Sequence, residues 1–316
     1  MKDLEIHGQV IKPGERKLVS LKVGTLTTHE PVTMRVWVIR SKKEGPTLMV
    51  SGCLHGDEIN GAEIIRRLIN SSALKRGFKG TLIAVPIINV PAYSNRSRYL
   101  PDRRDLNRLF PGSAKGSLGG RLAHVLTTEL LPLCDAVVDL HTGAINRPNL
   151  PQIRVTAADD ASLDLAKAFG PPVTLLSSVR PGTFRSSCNT AGVPVILYEA
   201  GEALRLDTPS IRFGKRGVLT VMRHLGMLPK RPAAAKKRAA NAVLCESSYW
   251  ERAQIGGLFT PLIGLGKAVK LGDVLGFIAD PLGDYEEEIV ATHSGILIGR
   301  TNEGQADEGD ALFHIA

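Results

Sequence analysis

Along the first two-thirds of the chain, apolar runs of strand length alternate with stretches whose apolar residues recur every three to four positions. Residues 33–39 (TMRVWVI), 47–51 (TLMVS), 81–88 (TLIAVPII), 136–140 (AVVDL) and 193–198 (VPVILY) read as strands. The run 81–88 is apolar nearly throughout, the mark of a strand buried on both faces. Between the strands, helical spacing runs over 59–69 through Ile64, Ile65, Leu68 and Ile69, through the series Leu118, Leu122, Val125, Leu126 and Leu130, and over 162–169 and 208–225. Strands alternating with helices predict βαβ units, hence an α/β domain over residues 1–226 with a largely parallel sheet covered on both faces. From about residue 243 the texture changes. Glycine is frequent and the apolar runs are short, with strands expected at 268–271, 274–279, 288–292 and 295–299, separated by Gly-Asp and Gly-Lys turns. That pattern predicts a small all-β domain over 243–316.

The two parts are joined by 227–242, which includes the run PKRPAAAKKRAANA with Lys230, Arg231, Lys236, Lys237 and Arg238 and no acid. It reads as an exposed basic linker. The whole chain of 316 residues carries a formal charge of +9, and those five charges make up more than half of it. No aromatic residue interleaves with them, so a nucleic-acid partner is not expected. No apolar run reaches the roughly 18 residues needed to cross a bilayer. The start, MKDLEIH, has no apolar core of a signal peptide, and a cytoplasmic protein without a membrane partner is expected. Four cysteines (Cys53, Cys134, Cys188, Cys245) lie far apart with no CxxC spacing, as expected of reduced, buried thiols.

Phosphate-binding loops of the GxxxxGK[ST] type, dinucleotide GxGxxG turns and GxSxG nucleophile elbows are all absent from the sequence, which argues against nucleotide-driven and serine-hydrolase chemistry. Polar residues instead gather at strand ends. The strand 47–51 runs into Gly52-Cys53-Leu54-His55-Gly56-Asp57-Glu58, where His55 and Glu58 stand three apart in a glycine-flanked turn before a helix. The strand 136–140 ends in His141. In an open α/β sheet, ligands bind beyond the carboxyl ends of the strands, so His55, Glu58 and His141 converge on one metal and leave a fourth position for water, as in a catalytic zinc site. Asp57 and Asp139 are rival carboxylates; alternation along the strand suits Asp139 to orienting a ligand rather than being one. A third strand ends in Glu199-Ala200-Gly201-Glu202, placing Glu199, with Glu202 as the alternative, where a general base is needed. After the strand 81–88 comes a long loop carrying Arg98, Arg103, Arg104 and Arg108, whose guanidinium forks suit a carboxylate or a developing oxyanion; some of the four are expected simply to pair with Asp102 and Asp105.

The turn GCLHGDEINGAE, the loop RYLPDRRDLNRLFPG, the run DLHTG and the strand end ILYEAGE resemble the succinylglutamate desuccinylase and aspartoacylase family, zinc-dependent N-acyl-amino-acid deacylases on a zinc-carboxypeptidase-like fold with a mixed, largely parallel sheet. The resemblance implies that His55, Glu58 and His141 bind one Zn2+ per chain and that Glu199 is the general base and acid. It implies that Asn107 and Arg108 hold the substrate carboxylate, and that Arg98, with Arg103 as its rival, polarises the scissile carbonyl. Arg185 is an additional substrate contact by the same likeness. A C-terminal all-β domain is typical of the family and overhangs the site. Here it is similar to biotinyl/lipoyl-type domains, but Ala291-Thr292-His293-Ser294 stands where a carrier would present lysine, so an unmodified domain is expected, with His293 and His314 as surface or packing residues.

The expected activity is hydrolysis of the amide of a small, carboxylate-bearing N-acyl amino acid, with a homo-oligomer left open. A metallocarboxypeptidase acting on a peptide or γ-glutamyl-type amide uses the same residues, and ester cleavage is open to the same chemistry. A catalytically silent protein that binds an acidic ligand is the alternative of another class. It predicts a broken residue set, whereas His55, Glu58, His141 and Glu199 are all present.

Overall fold

The computed structural model describes residues 2–230 and 242–316. A short hairpin, β1 (Leu4–Ile6) and β2 (Gln9–Ile11), precedes the long antiparallel pair β3 (Arg16–Thr25) and β4 (Pro31–Arg40). The apolar runs then become β5 (Thr47–Gly52), β6 (Thr81–Val85), β7 (Ala136–Gly143) and, after β8 (Asn149–Val155) and β9 (Val173–Leu176), β10 (Val195–Glu202). In space the order is β3-β4-β6-β5-β7-β10-β8, with β6, β5, β7 and β10 parallel and β8 antiparallel to β10. Every residue of β6 and β7 is buried, as a central strand covered on both sides requires. The strand expected to stop at 198 continues to Glu202, so Glu199 is a strand residue.

Alternation along these strands feeds two cores. Leu48, Val50, Val138, Leu140, Ile196 and Tyr198 face α1 (Asn60–Ile69) and two later helices. Short α2 (Ser72–Lys75) and α3 (Val90–Ser94) flank β6. On the opposite face, Met49, Val137 and Val195 meet Leu122 and Ala123 of α4 (Leu118–Val125). The helical series expected through Leu130 continues past α4, but as a wider π turn over Leu126–Leu130, where the hydroxyls of Thr127 and Thr128 donate back to the carbonyls of Ala123 and His124. Then come α5 (Asp160–Phe169), α6 (Phe184–Thr190) and α7 (Thr208–His224); Phe169, Ile211, Val218 and Met222 complete the first core, Phe184 and Cys188 the second. Each fully buried side chain of this size contributes about 1.5–3 kcal/mol of transfer free energy.

The all-β C-terminal region is joined to the main sheet. Met227 and Leu228, the first residues of the expected linker, are buried in the first core, and 231–241, most of that linker, lie outside the described residues. Next, β11 (Val243–Cys245) pairs in parallel with β9. The strands β12 (Tyr249–Arg252), β13 (Gly257–Pro261), β14 (Ala268–Val269), β15 (Val274–Ala279), β16 (Glu286–Val290), β17 (Gly295–Arg300), β18 (Gln305–Ala306) and β19 (Ala311–Ile315) follow. The strand expected at 288–292 starts two residues earlier, and that expected at 268–271 shrinks to two residues. While β16, β15, β13 and β18 form their own antiparallel sheet, β17, β19 and β12 prolong the large one, with Gly299 of β17 opposite Asn149 of β8. Phe259, Leu275, Leu297, Leu312 and Phe313 fill the core between them. Among the described residues no helix is long and apolar enough to cross a membrane, and all four cysteines are buried and free.

Candidate metal centre and its cavity

On one face of the sheet, polar residues replace apolar ones as the strands approach their carboxyl ends. Met49 is followed two residues on by Ser51, Val137 by Asp139 and His141, and Leu197 by Glu199, with Glu199 in register with His141 on the neighbouring strand. Beyond β5 the chain turns through Cys53 in the left-handed region at φ +49°. A Cβ on Gly56 would lie 2.1 Å from the backbone carbon of Ala92, so only glycine lets the turn rest against α3. The turn brings His55 Nδ1 to 2.6 Å from Glu58 Oε1, and His141 Nδ1 lies 2.7 Å from Glu58 Oε2. The three potential ligand atoms all fall within 4.8 Å of one another, and each residue is 3% exposed.

The far nitrogen of each imidazole is also fixed. His141 Nε2 is 2.8 Å from Asp139 Oδ2, whose other oxygen accepts from Ser51 Oγ at 2.7 Å. His55 Nε2 is 3.2 Å from Asp105 Oδ1. Burial alone disfavours imidazolium, but Asp139 and Glu58 outweigh it and hold the pKa of His141 well above its ordinary value; Glu58 and Asp105 lift that of His55 in the same way. Burial likewise opposes charge on Glu58, yet the two histidines keep its carboxyl far below the usual range. Two inward Nδ1 atoms, one carboxylate and a carboxylate behind each ring are the donor set and outer support of a divalent His2Glu site. The residues present therefore fit such an ion, which would meet the charge demand of Glu58, Asp105 and Asp139.

A cavity of about 440 Å³ opens beside this cluster. It is lined by Glu199, Arg98, Asn107, Arg108 and Arg185 of the residues expected from the sequence. Glu199 Oε2 accepts from Asn149 Nδ2 at 3.0 Å. Arg98 reaches Asp105 Oδ2 at 3.0 Å and Glu58 Oε1 at 3.4 Å. Asn107 Oδ1 accepts the Phe184 N–H at 2.9 Å, which leaves its amide NH2 as the donor. Arg185 is held by Ser177 Oγ and the Ser178 carbonyl. Arg103, the rival to Arg98, is not on the cavity: it sits exposed in a left-handed turn at φ +65°, its N–H bonded to the Leu100 carbonyl. Arg104 is turned to Asp102. Glu202 faces Asn146, Arg205 and Asn302 and does not line the cavity. Asp57 is buried with a raised pKa, chiefly from burial and the neighbouring Glu58.

Residues 44–225 match the model of the succinylglutamate desuccinylase/aspartoacylase catalytic domain. The chain belongs to this family. It is 28% identical over 296 residues to the N-alpha-acetyl-L-2,4-diaminobutyric acid deacetylase of Halomonas elongata, covering 90% of this chain and 86% of that protein. Its fold is similar to that of a succinylglutamate desuccinylase/aspartoacylase from Rhodobacter sphaeroides, with a TM-score of 0.85, 27% identity and coverage of 100% of this chain and 97% of that one. It is similar at the same TM-score to the product-bound ectoine utilization protein EutE (DoeB) of Ruegeria pomeroyi, at 25% identity and 98% coverage of both chains.

In this member of the desuccinylase/aspartoacylase family, much of the cavity wall comes from residues the sequence did not assign to the site. Arg147 and Arg154 lie around β8, Arg180 follows β9, and Trp250 and His314 come from the C-terminal region. Arg154 NH1 lies 4.0 Å from Glu199 Oε1. Burial and the nearby Arg154 lower the pKa of Arg185, against the pull of Glu199. Trp250 stacks on His314, with centroids 4.4 Å apart, and Arg147 lies over the indole. His314 is a packing residue, as expected, but it packs at the cavity. The one signal available was alternation in β8, which puts Gln152 and Arg154 on the face of Glu199 once the antiparallel pairing is known.

Proposed function

We propose that this protein is a zinc-dependent hydrolase that cleaves the amide bond of a small N-acyl amino acid in the cytoplasm. The observation that carries the reading is Glu58 shared between His55 Nδ1 and His141 Nδ1, with Glu199 on the adjoining strand in register with His141. His55, Glu58 and His141 would hold the zinc, which when bound polarises a carbonyl and lowers the pKa of water to about 7. Glu199 has Oε2 engaged by Asn149, so Oε1 is the atom that takes the proton of the attacking water and returns it to the departing nitrogen. Arg98 brings positive charge to the edge of the cluster, where the carbonyl oxygen gains negative charge. The Asn107 amide NH2, Arg108 and Arg185 are donors for the substrate's carboxylate. A relative named for deacetylating N-alpha-acetyl-L-2,4-diaminobutyric acid supports the substrate class.

The test is metal analysis followed by a panel of N-acetyl, N-succinyl and longer-acyl amino acids beside short peptides. Turnover of acylated amino acids by protein carrying one zinc per chain is expected, and Glu199→Gln should keep the metal and lose about 10²–10⁴ in rate. Peptide hydrolysis alone would favour the carboxypeptidase alternative, and zinc without any hydrolysis the binding protein.

A further inference from the structure

We infer that Asn149 is a positioning residue for Glu199 and ties the C-terminal β region to the catalytic strand. This rests on Glu199 being the general base. Asn149 opens β8, the strand between β10 and β17, and is the cross-strand partner of Gly201 in one and of Gly299 in the other. Its amide has two ends with different jobs. Nδ2 donates to Glu199 Oε2 at 3.0 Å, and among the described residues it is the one hydrogen-bond donor to that carboxylate. Oδ1 lies against Gly299, where a Cβ would stand 2.9 Å from it and 3.3 Å from His314 Cβ. Gly299 has no left-handed φ, so the need for glycine there is room for the Asn149 amide rather than backbone conformation.

Arg154, 4.0 Å from Oε1, supplies charge without a directed bond. The Asn149 amide therefore sets which oxygen of Glu199 is engaged and which faces the water. A general base must present one lone pair within hydrogen-bond reach of its proton, and small misplacements are costly. The C-terminal region enters because β17 backs the amide from behind. A strand that only walls the cavity has no reason to touch the group orienting the base.

The experiment compares Asn149→Ala and Gly299→Ala, alone and in the Glu199→Gln background, using zinc-loaded full-length protein and the best substrate of the panel. Each single variant should lower kcat about ten- to hundredfold, leave KM within about twofold, and keep zinc content and thermal midpoint near those of the parent. In the Glu199→Gln background neither should lower kcat further, because the base they orient is already gone. If Asn149→Ala retains full kcat, or loses the same factor in the Glu199→Gln background, the inference is overturned. Should Gly299→Ala fail to fold, Asn149→Ala and Asn149→Ser decide by the same double-variant comparison. High turnover by Glu199→Gln itself would instead overturn the base assignment beneath it.

Discussion

The two walls of the cavity settle their charges differently. On the metal side, His55, Glu58 and His141 are each 3% exposed, and every ring nitrogen has a carboxylate partner. On the other side, Arg147, Arg154 and Arg185 are half-buried, Arg180 is exposed, and Glu199 is the acid among them. The first wall's buried imidazoles and carboxylates face one another, and the ion they fit would complete their balance, because buried charges must be matched where they lie. The second carries positive charge unmatched by neighbouring acids, which suits an anionic visitor. The contrast separates chemistry fixed by folding from recognition left open to the incoming molecule.

The comparison breaks most visibly if the first wall is opened. His55→Ala or His141→Ala should abolish stoichiometric zinc and lower activity at least about a thousandfold, read by metal analysis and rate together. Retained metal in either variant would mean that the cluster is not the site. Behind that wall, Asp139→Asn should weaken zinc about ten- to hundredfold in chelator competition, since it loosens the ring of His141. On the second wall, Arg185→Ala should raise KM about tenfold with a smaller change in kcat, while Arg103→Ala, off the cavity, should stay within about twofold. Equal effects of the two would erase the distinction between the arginines.

An effect on stability rather than on turnover concerns the C-terminal part of the second wall. Burial and the charge of Arg154 push the pKa of His314 down to about 3, against about 6.5 in an unfolded chain. Between those values the unfolded chain holds a proton the folded one does not, so stability falls as pH drops from about 6.5 to 3, by at most about 1.4 kcal/mol per unit. Denaturant titrations should find a shallower acid dependence in His314→Phe than in the parent; identical slopes would mean that His314 does not stay neutral there.

The metal side was legible because its parts are local. His55 and Glu58 share one turn, and His141 ends a strand whose apolar run AVVDL betrays its burial. Parallel strands covered on both faces announce themselves in the same way. Most of the arginine side was not legible: Arg185 was reached through the family resemblance, but Arg147, Arg154, Arg180 and Trp250 come from separate elements and meet only through the strand order around β8. Density along the chain misled: Arg103 and Arg104 adjoin Arg108 in sequence, yet one left-handed residue turns them outward. Nor could glycine-rich texture reveal that the last strands hydrogen-bond to the main sheet, since Gly299 looks like any turn residue until Asn149 stands opposite it.

Asp105 sits on the same short stretch as Asn107 and Arg108 and also braces the ring of His55. With the roles proposed above, grip and coordination thus hang on one lever. Mutational drift that retunes this stretch for a new substrate must keep an acid at 105, so diversification of specificity is funnelled toward the far wall, where none of the three residues proposed to hold the metal is at stake.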